Sequence, residues 1–142
     1  MFWSRIDSDI VPGTESVMEL YERGTEFAIR ADGRELMNNR IHGSETALAD
    51  LALDRIRDPL AARVLVGGLG MGFTLAAALK RVSPEAVVDI AEVVPGVVRW
   101  NQGPPAKPLA TLGPTPRATL RFPRAPPCKS PGSPKEGGTR AT

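Results

Sequence analysis

The sequence predicts an α/β fold, with a small N-terminal β-meander, the opening strands of a parallel sheet, and a disordered C-terminal tail. Three observations predict it. Short extended runs before residue 43 are punctuated by Arg23-Gly24 and Asp32-Gly33. An order of strand, glycine turn, helix and strand runs from Val64 to Val93. The composition then breaks: residues 1–103 hold 11 basic against 15 acidic side chains, whereas residues 104–142 hold 7 against 1, with 10 of the 14 prolines.

The break governs how the whole-chain charge is read. A net of −4 before it and +6 after it sum to the formal +2. The basic character therefore belongs to the tail and argues against a nucleic-acid-binding face on the folded part. Residues 1–10 lack an apolar run and carry Asp7 and Asp9, so no signal peptide is expected. The uncharged stretch 64–79 is too short to span a membrane and is broken by glycines. One Cys and one His give neither an internal disulfide nor a metal-ligand cluster. These features predict a cytoplasmic protein with no membrane partner and no metal.

Residues 1–14 read as a mobile N-terminus, and 15–43 as the meander, with strands near 17–21, 26–31 and 35–37. Asp-Gly between extended runs is a hairpin signal, because a type I′ turn needs positive φ at both central residues. Within 26–31, Phe27, Ile29 and Ala31 alternate with Glu26, Ala28 and Arg30. A helix is predicted over 45–57. Ser44 is its expected N-cap, Glu45 places a negative charge in its first turn, and Leu48, Leu51, Ala52 and Ile56 form its apolar stripe. Asp58-Pro59 ends it.

Residues 44–103 form the second predicted unit, which begins with this helix. Val64-Leu65-Val66 reads as a buried parallel strand. The turn Gly67-Gly68-Leu69-Gly70-Met71-Gly72 leads into a helix over 73–81. Ser83-Pro84 breaks that helix, residues 86–93 read as a second strand, and Pro95 opens a further helix towards Trp100. The crossover should be right-handed.

Glycines between a strand and a helix N-terminus let a ligand approach backbone N–H groups, since no Cβ intervenes. Glu92 follows about 20 residues beyond the last glycine, where an acid can accept hydrogen bonds from both ribose hydroxyls. Together they favour a nucleoside-containing ligand over a purely structural turn. A dinucleotide fold expects G-x-G-x-x-G, but the spacing here is Gly68-x-Gly70-x-Gly72, with Phe73 in the third glycine's place. The tighter spacing resembles motif I of class I methyltransferases, which bind S-adenosylmethionine, and implies a Rossmann-like, methyltransferase-type sheet that is incomplete in this chain.

A narrower resemblance rests on Arg34-Glu-Leu-Met, His42-Gly-Ser-Glu45, Val64-Leu-Val-Gly-Gly-Leu-Gly-Met-Gly and Ala91-Glu-Val-Val-Pro95. These segments resemble the bacterial spermidine-synthase-like proteins of the polyamine aminopropyltransferase superfamily, over about residues 15–103. The resemblance implies a small β-domain before a Rossmann-like domain that binds decarboxylated S-adenosylmethionine and passes its aminopropyl group to putrescine. It places Gly68, Gly70 and Gly72 on the cofactor and Glu92 on its ribose, and offers His42 and Glu45 as substrate residues. It also implies a polyamine partner and a homo-oligomeric parent. The family's catalytic Asp follows a later strand. Residues 104–142 carry one acid, Glu136, so the chain is expected to be a truncated, inactive fragment.

The tail lacks periodicity, and its composition cannot offset its ordering entropy. Its expected origin is an out-of-frame segment standing in for the rest of the sheet. Two alternatives to an aminopropyltransferase remain open at this point: a class I methyltransferase relative, and a non-enzymatic module acting through Arg117, Arg121, Arg124 and Lys129.

Overall fold

The computed structural model describes residues 1–58, 61–102 and 118–121. A four-stranded antiparallel sheet comes first, in spatial order β1-β2-β3-β4. Its strands are β1 (Ser4–Ile10), β2 (Val17–Arg23), β3 (Glu26–Ala31) and β4 (Arg34–Asn38). Asp32 and Gly33 take φ of 49° and 77°, the positive pair that a type I′ hairpin demands. Asp32 also ties the neighbouring strand down, its Oδ1 accepting the Val17 N–H at 2.9 Å.

Helix α1 (Gly43–Leu53) leads into a parallel sheet of order β5-β6-β7, with β5 (Arg63–Gly67), β6 (Val87–Ala91) and β7 (Ala118–Arg121). Helix α2 (Phe73–Arg81) joins β5 to β6, and α3 (Pro95–Gln102) follows β6. β5 and β6 pair from Arg63↔Val87 to Gly67↔Ala91. The chain is thus mixed α/β, as expected.

One core joins the antiparallel sheet to the glycine turn and α3. Leu20, Phe27 and Ile29 from the meander pack with Met71 of the glycine turn and with Val94, Val97 and Trp100. Leu20 and Ile29 are directly paired across β2 and β3 and almost wholly buried. Burying a side chain of that size contributes about 1.5–3 kcal/mol. Val66, Leu75, Val88 and Ile90 fill the space between β5, β6 and α2, while Ala49, Leu53, Ala77 and Ala78 seal α1 on α2. Arg81 of α2 pairs with Asp50 at 3.0 Å and with Asp54, both at the C-terminal end of α1.

Five expectations are corrected. Residues 4–10 are not mobile: they form β1, which pairs with β2 from Ser4↔Glu22 to Ile10↔Val17 around a bulge between Arg5 and Asp7. A strand whose acids are satisfied by another element shows no apolar alternation, so the pattern hid it. Ser44 is not the cap of α1. His42 holds the N-cap position with no side-chain cap bond, and the Ser44 hydroxyl donates to Glu45 Oε2 at 2.8 Å. The apolar stripe of α1 is also out of phase, since Leu48 and Leu51 are exposed while Ala49 and Leu53 are buried. Small residues let α1 approach α2 closely, and that contact sets the rotation of the helix. In β5 only Val66 is buried, with Leu65 67% exposed, so the strand is covered on one face.

The fifth correction concerns the tail. Within 104–142, residues Ala118–Arg121 form β7, parallel to β6 from Val88↔Ala118 to Ala91↔Arg121. Four residues are too few to display a period, and a partner's open edge can specify such a strand. The parallel sheet therefore has three described strands. Other expectations for 103–117 and 122–142, and for Pro59, lie outside the described residues.

Candidate functional site

The turn between β5 and α2 is built on alternate glycines because alternate positions are left-handed. Gly68, Gly70 and Gly72 have φ of 83°, 52° and 81°, a region costly for side chains with a Cβ. The spacing Gly-x-Gly-x-Gly is thus a backbone requirement in the first place. The Gly68 N–H donates to Ala91 O at 2.7 Å, extending the β5–β6 pairing into the turn. The Gly72 N–H donates to Leu69 O at 2.8 Å and closes it. Gly72 is the N-cap of α2 and offers no side-chain cap, so the first-turn amides of the helix lack intrahelical acceptors.

Glu92 sits at the end of β6, beneath this turn. It is 5% exposed, the one buried charged residue among those described. Its Oε2 accepts the Leu69 N–H at 2.8 Å, and its Oε1 accepts the N–H groups of Val93 at 2.7 Å and Val94 at 2.8 Å. One carboxylate therefore binds the glycine turn to the elbow between β6 and α3. Each carboxylate oxygen has about two acceptor sites. Oε1 is filled by backbone, and Oε2 keeps one.

A cleft of about 230 Å³ opens on the turn, lined by Gly67, Gly68, Leu69, Gly70, Phe73 and Thr74, with Met37 and Glu45 opposite. Beside Gly67 and Gly68 there is open space where a Cβ would stand, whereas a Cβ on Gly70 would meet Met37 Sδ at 2.7 Å. His42 reaches the same neighbourhood by stacking on Phe73, with ring centroids 4.1 Å apart and planes 11° from parallel. Its carbonyl accepts the Thr46 N–H at 3.2 Å, and its Nδ1 is buried without a partner among the described residues.

Of the residues singled out from sequence, Gly68, Gly70 and Glu45 line one cleft, Gly72 caps α2, and Glu92 lies under the turn with most of its acceptor capacity used. His42 borders the cleft through Phe73. Sequence reasoning missed Met37, which closes over Gly70, and Asn101, whose Nδ2 donates to Gly70 O at 2.7 Å. Met37 ends the Arg34-Glu-Leu-Met segment without any site role being expected of it, and Asn101 stands at no motif spacing that would have marked it. Among the described residues there is no His, Cys, Asp and Glu grouping that could hold a metal ion, and no helix long and apolar enough to cross a membrane.

The fold that carries this turn is spermidine-synthase-like. A probable spermidine synthase from Corynebacterium glutamicum ATCC 13032 matches with a TM-score of 0.55 and 12% identity, over 87% of this chain and 45% of that one. A spermidine synthase in complex with the transition-state analogue AdoDATO matches with a TM-score of 0.62 and 19% identity, over 83% of this chain and 40% of that one. Spermidine synthase from Thermotoga maritima matches with a TM-score of 0.58 and 18% identity, over 84% of this chain and 41% of that one. The chain spans less than half the length of these structures, and at such identities the likeness is one of fold. No family model and no curated protein sequence matches it.

Proposed function

We propose that the chain supplies the nucleoside-binding part of a spermidine-synthase-like aminopropyltransferase, with S-adenosylmethionine or its decarboxylated form as the ligand. The observation that carries this reading is the junction of the glycine turn with Glu92. The glycine backbone at Gly67, Gly68 and Gly70 faces a cleft, and Glu92, buried beneath the turn and bonded to Leu69 N–H, retains one acceptor site. The fold likeness supports the same reading, since one of the matched synthases is bound to AdoDATO.

The residues present fit such a group. The open space beside Gly67 and Gly68 admits close approach of a ligand to the backbone, while Met37 closes the cleft over Gly70. Gly68 and Gly70 would line the ligand, and Gly72 would present the uncapped start of α2. Glu92 would accept one ribose hydroxyl through Oε2, in place of the two-hydroxyl grip expected from sequence. Glu45 sits across the cleft, where its negative charge suits a cationic, amine-bearing ligand or a polyamine. When bound, the decarboxylated form would supply a sulfonium-activated aminopropyl group. These residues bind and orient it, and no general base is assigned among them.

Calorimetric titration with methylthioadenosine, adenosine and 2′,3′-dideoxyadenosine tests the reading. Saturable binding of the first two, with clear loss for the dideoxy compound, is the expected result. Absence of saturable heat with methylthioadenosine refutes it.

A further inference from the structure

The glycine turn is held from α3 as well as from β6. Asn101 Nδ2, in the last turn of α3, donates to Gly70 O at 2.7 Å and to Val97 O at 2.8 Å. Val97 lies four residues earlier on the same helix, so the second bond fixes the amide, and the first carries that fixed donor to the turn. Asn101 Oδ1 is buried and meets no donor among the described residues. A side chain present only to fill space would be apolar here, because an unpaired buried acceptor is destabilising. Position 101 is used for its N–H donors.

The direction of that bond matters for the site. A peptide unit is planar and trans, so its C=O and N–H point in opposite directions. Anchoring Gly70 C=O on Asn101 therefore aims the Met71 N–H away from α3. In the same way, anchoring the Leu69 N–H on Glu92 aims the Gly68 C=O away from β6. Gly68, Gly70 and Gly72 are permissive in φ, and an unpinned turn would have to be ordered by its ligand, weakening apparent affinity.

Building on the nucleoside reading above, we propose that Asn101 is a positioning residue for that site: by holding Gly70 C=O from α3, it presents the glycine turn to the ligand already set. The juxtaposition of α3's last turn with Gly70 is what carries the inference, and it assigns Asn101 no direct contact with ligand.

Hydrogen exchange on the full chain without ligand tests the pinning, and calorimetry with methylthioadenosine tests its consequence. Asn101→Asp keeps the shape but removes the donor. It should speed exchange of the hydrogen-bonded Gly68, Leu69 and Gly72 amides about tenfold, leave β2 and β3 unchanged, and weaken methylthioadenosine binding about tenfold, as the competent fraction falls. Asn101→His, which keeps a ring N–H near the same place, should restore part of both. Gln102→Gly loosens the helix end without touching the donor and should change neither. Wild-type exchange at the turn in Asn101→Asp overturns the proposal, as does a faster turn with unaltered affinity. If Asn101→Asp does not fold, wild-type-like exchange in Asn101→Leu overturns it equally. Failure of the wild-type chain to bind methylthioadenosine, with the turn still loosened in the variant, refutes the nucleoside reading while upholding the pin.

Discussion

Asp9 caps α3 from the far end of the chain, its Oδ2 accepting the Gly96 N–H at 2.6 Å across a sequence separation of 87 residues. Arg99, one turn along the helix, donates to the same oxygen at 3.1 Å. Asp7, two residues earlier on β1, accepts the Trp100 indole N–H at 2.8 Å. The meander and α3 are therefore joined by directional bonds around the rim of a shared apolar core.

The cap predicts an asymmetric mutational response. Asp9→Ala should cost about 1–2 kcal/mol through the lost cap and ion pair. Gly96→Ala should also destabilise, although Ala favours helices, because its Cβ would lie 2.7 Å from Asp9 Cβ. Asp9→Ala cannot relieve that collision, since alanine keeps the offending atom. Asp9→Gly can. Urea denaturation of the single and double variants should show rescue of Gly96→Ala by glycine at position 9 and none by alanine.

Acid should weaken the same junction. The Trp100 indole N–H, with help from the Ser8 N–H and Arg99, holds the Asp7 carboxyl below its ordinary range against the opposing cost of partial burial. A lowered folded value means that the stabilisation is present above the unfolded value, about 3.9, and is lost as pH falls through the folded one. With Asp7 more than a third exposed, screening keeps the effect under about 1 kcal/mol. The stability difference between wild type and Asp7→Asn should therefore be steady near neutrality and shrink below about pH 4. Asp32, lowered chiefly by the Val17 N–H, cancels because both proteins carry it. A constant difference down to strong acid would contradict the assignment.

Glu92→Gln should destabilise the chain with no ligand present. An amide offers one acceptor oxygen, so its NH2 must face either the Leu69 N–H or those of Val93 and Val94. Loss of charge-assisted bonds in a buried setting costs about 2–3 kcal/mol. The midpoint of chemical denaturation should fall accordingly. A shift within about 0.5 kcal/mol would show that the carboxylate is not the tie described.

Gly68 and Gly70 should separate by binding and not by stability. Alanine at either position pays about 1–2 kcal/mol for positive φ. At Gly70 the added methyl meets only the flexible end of Met37, which can give way. At Gly68 it enters open space on the ligand's side. Denaturation should rank the two together, while methylthioadenosine titration should show the greater loss for Gly68→Ala.

The elements legible in the sequence were those whose cause is local. Asp32-Gly33 needs its own φ values, the alternation of Phe27 and Ile29 is intrinsic to one strand, and Gly68, Gly70 and Gly72 mark a turn only glycine adopts easily. What was hidden depends on a partner. β1 is a polar strand completed by α3, β7 is specified by the edge of β6, and the rotation of α1 follows from its contact with α2. The candidate site divides in the same way. Its glycines and acid stood at a telling spacing, but the spacing could not reveal that Glu92 spends three bonds on backbone. Nor could it reveal that Asn101, near the end of another helix, holds the turn.

Met71 does not line the cleft. Its side chain is wholly buried against Leu20, Phe27 and Ile29, although its backbone belongs to the turn. Occupancy of the cleft and integrity of the antiparallel sheet are therefore linked quantities. A ligand that binds only the ordered turn shifts the folding equilibrium of the meander by mass action, by about 1.4 kcal/mol at ten times its dissociation constant. The signal of binding should then be readable far from the ligand, as slower amide exchange at the paired residues Leu20 and Ile29.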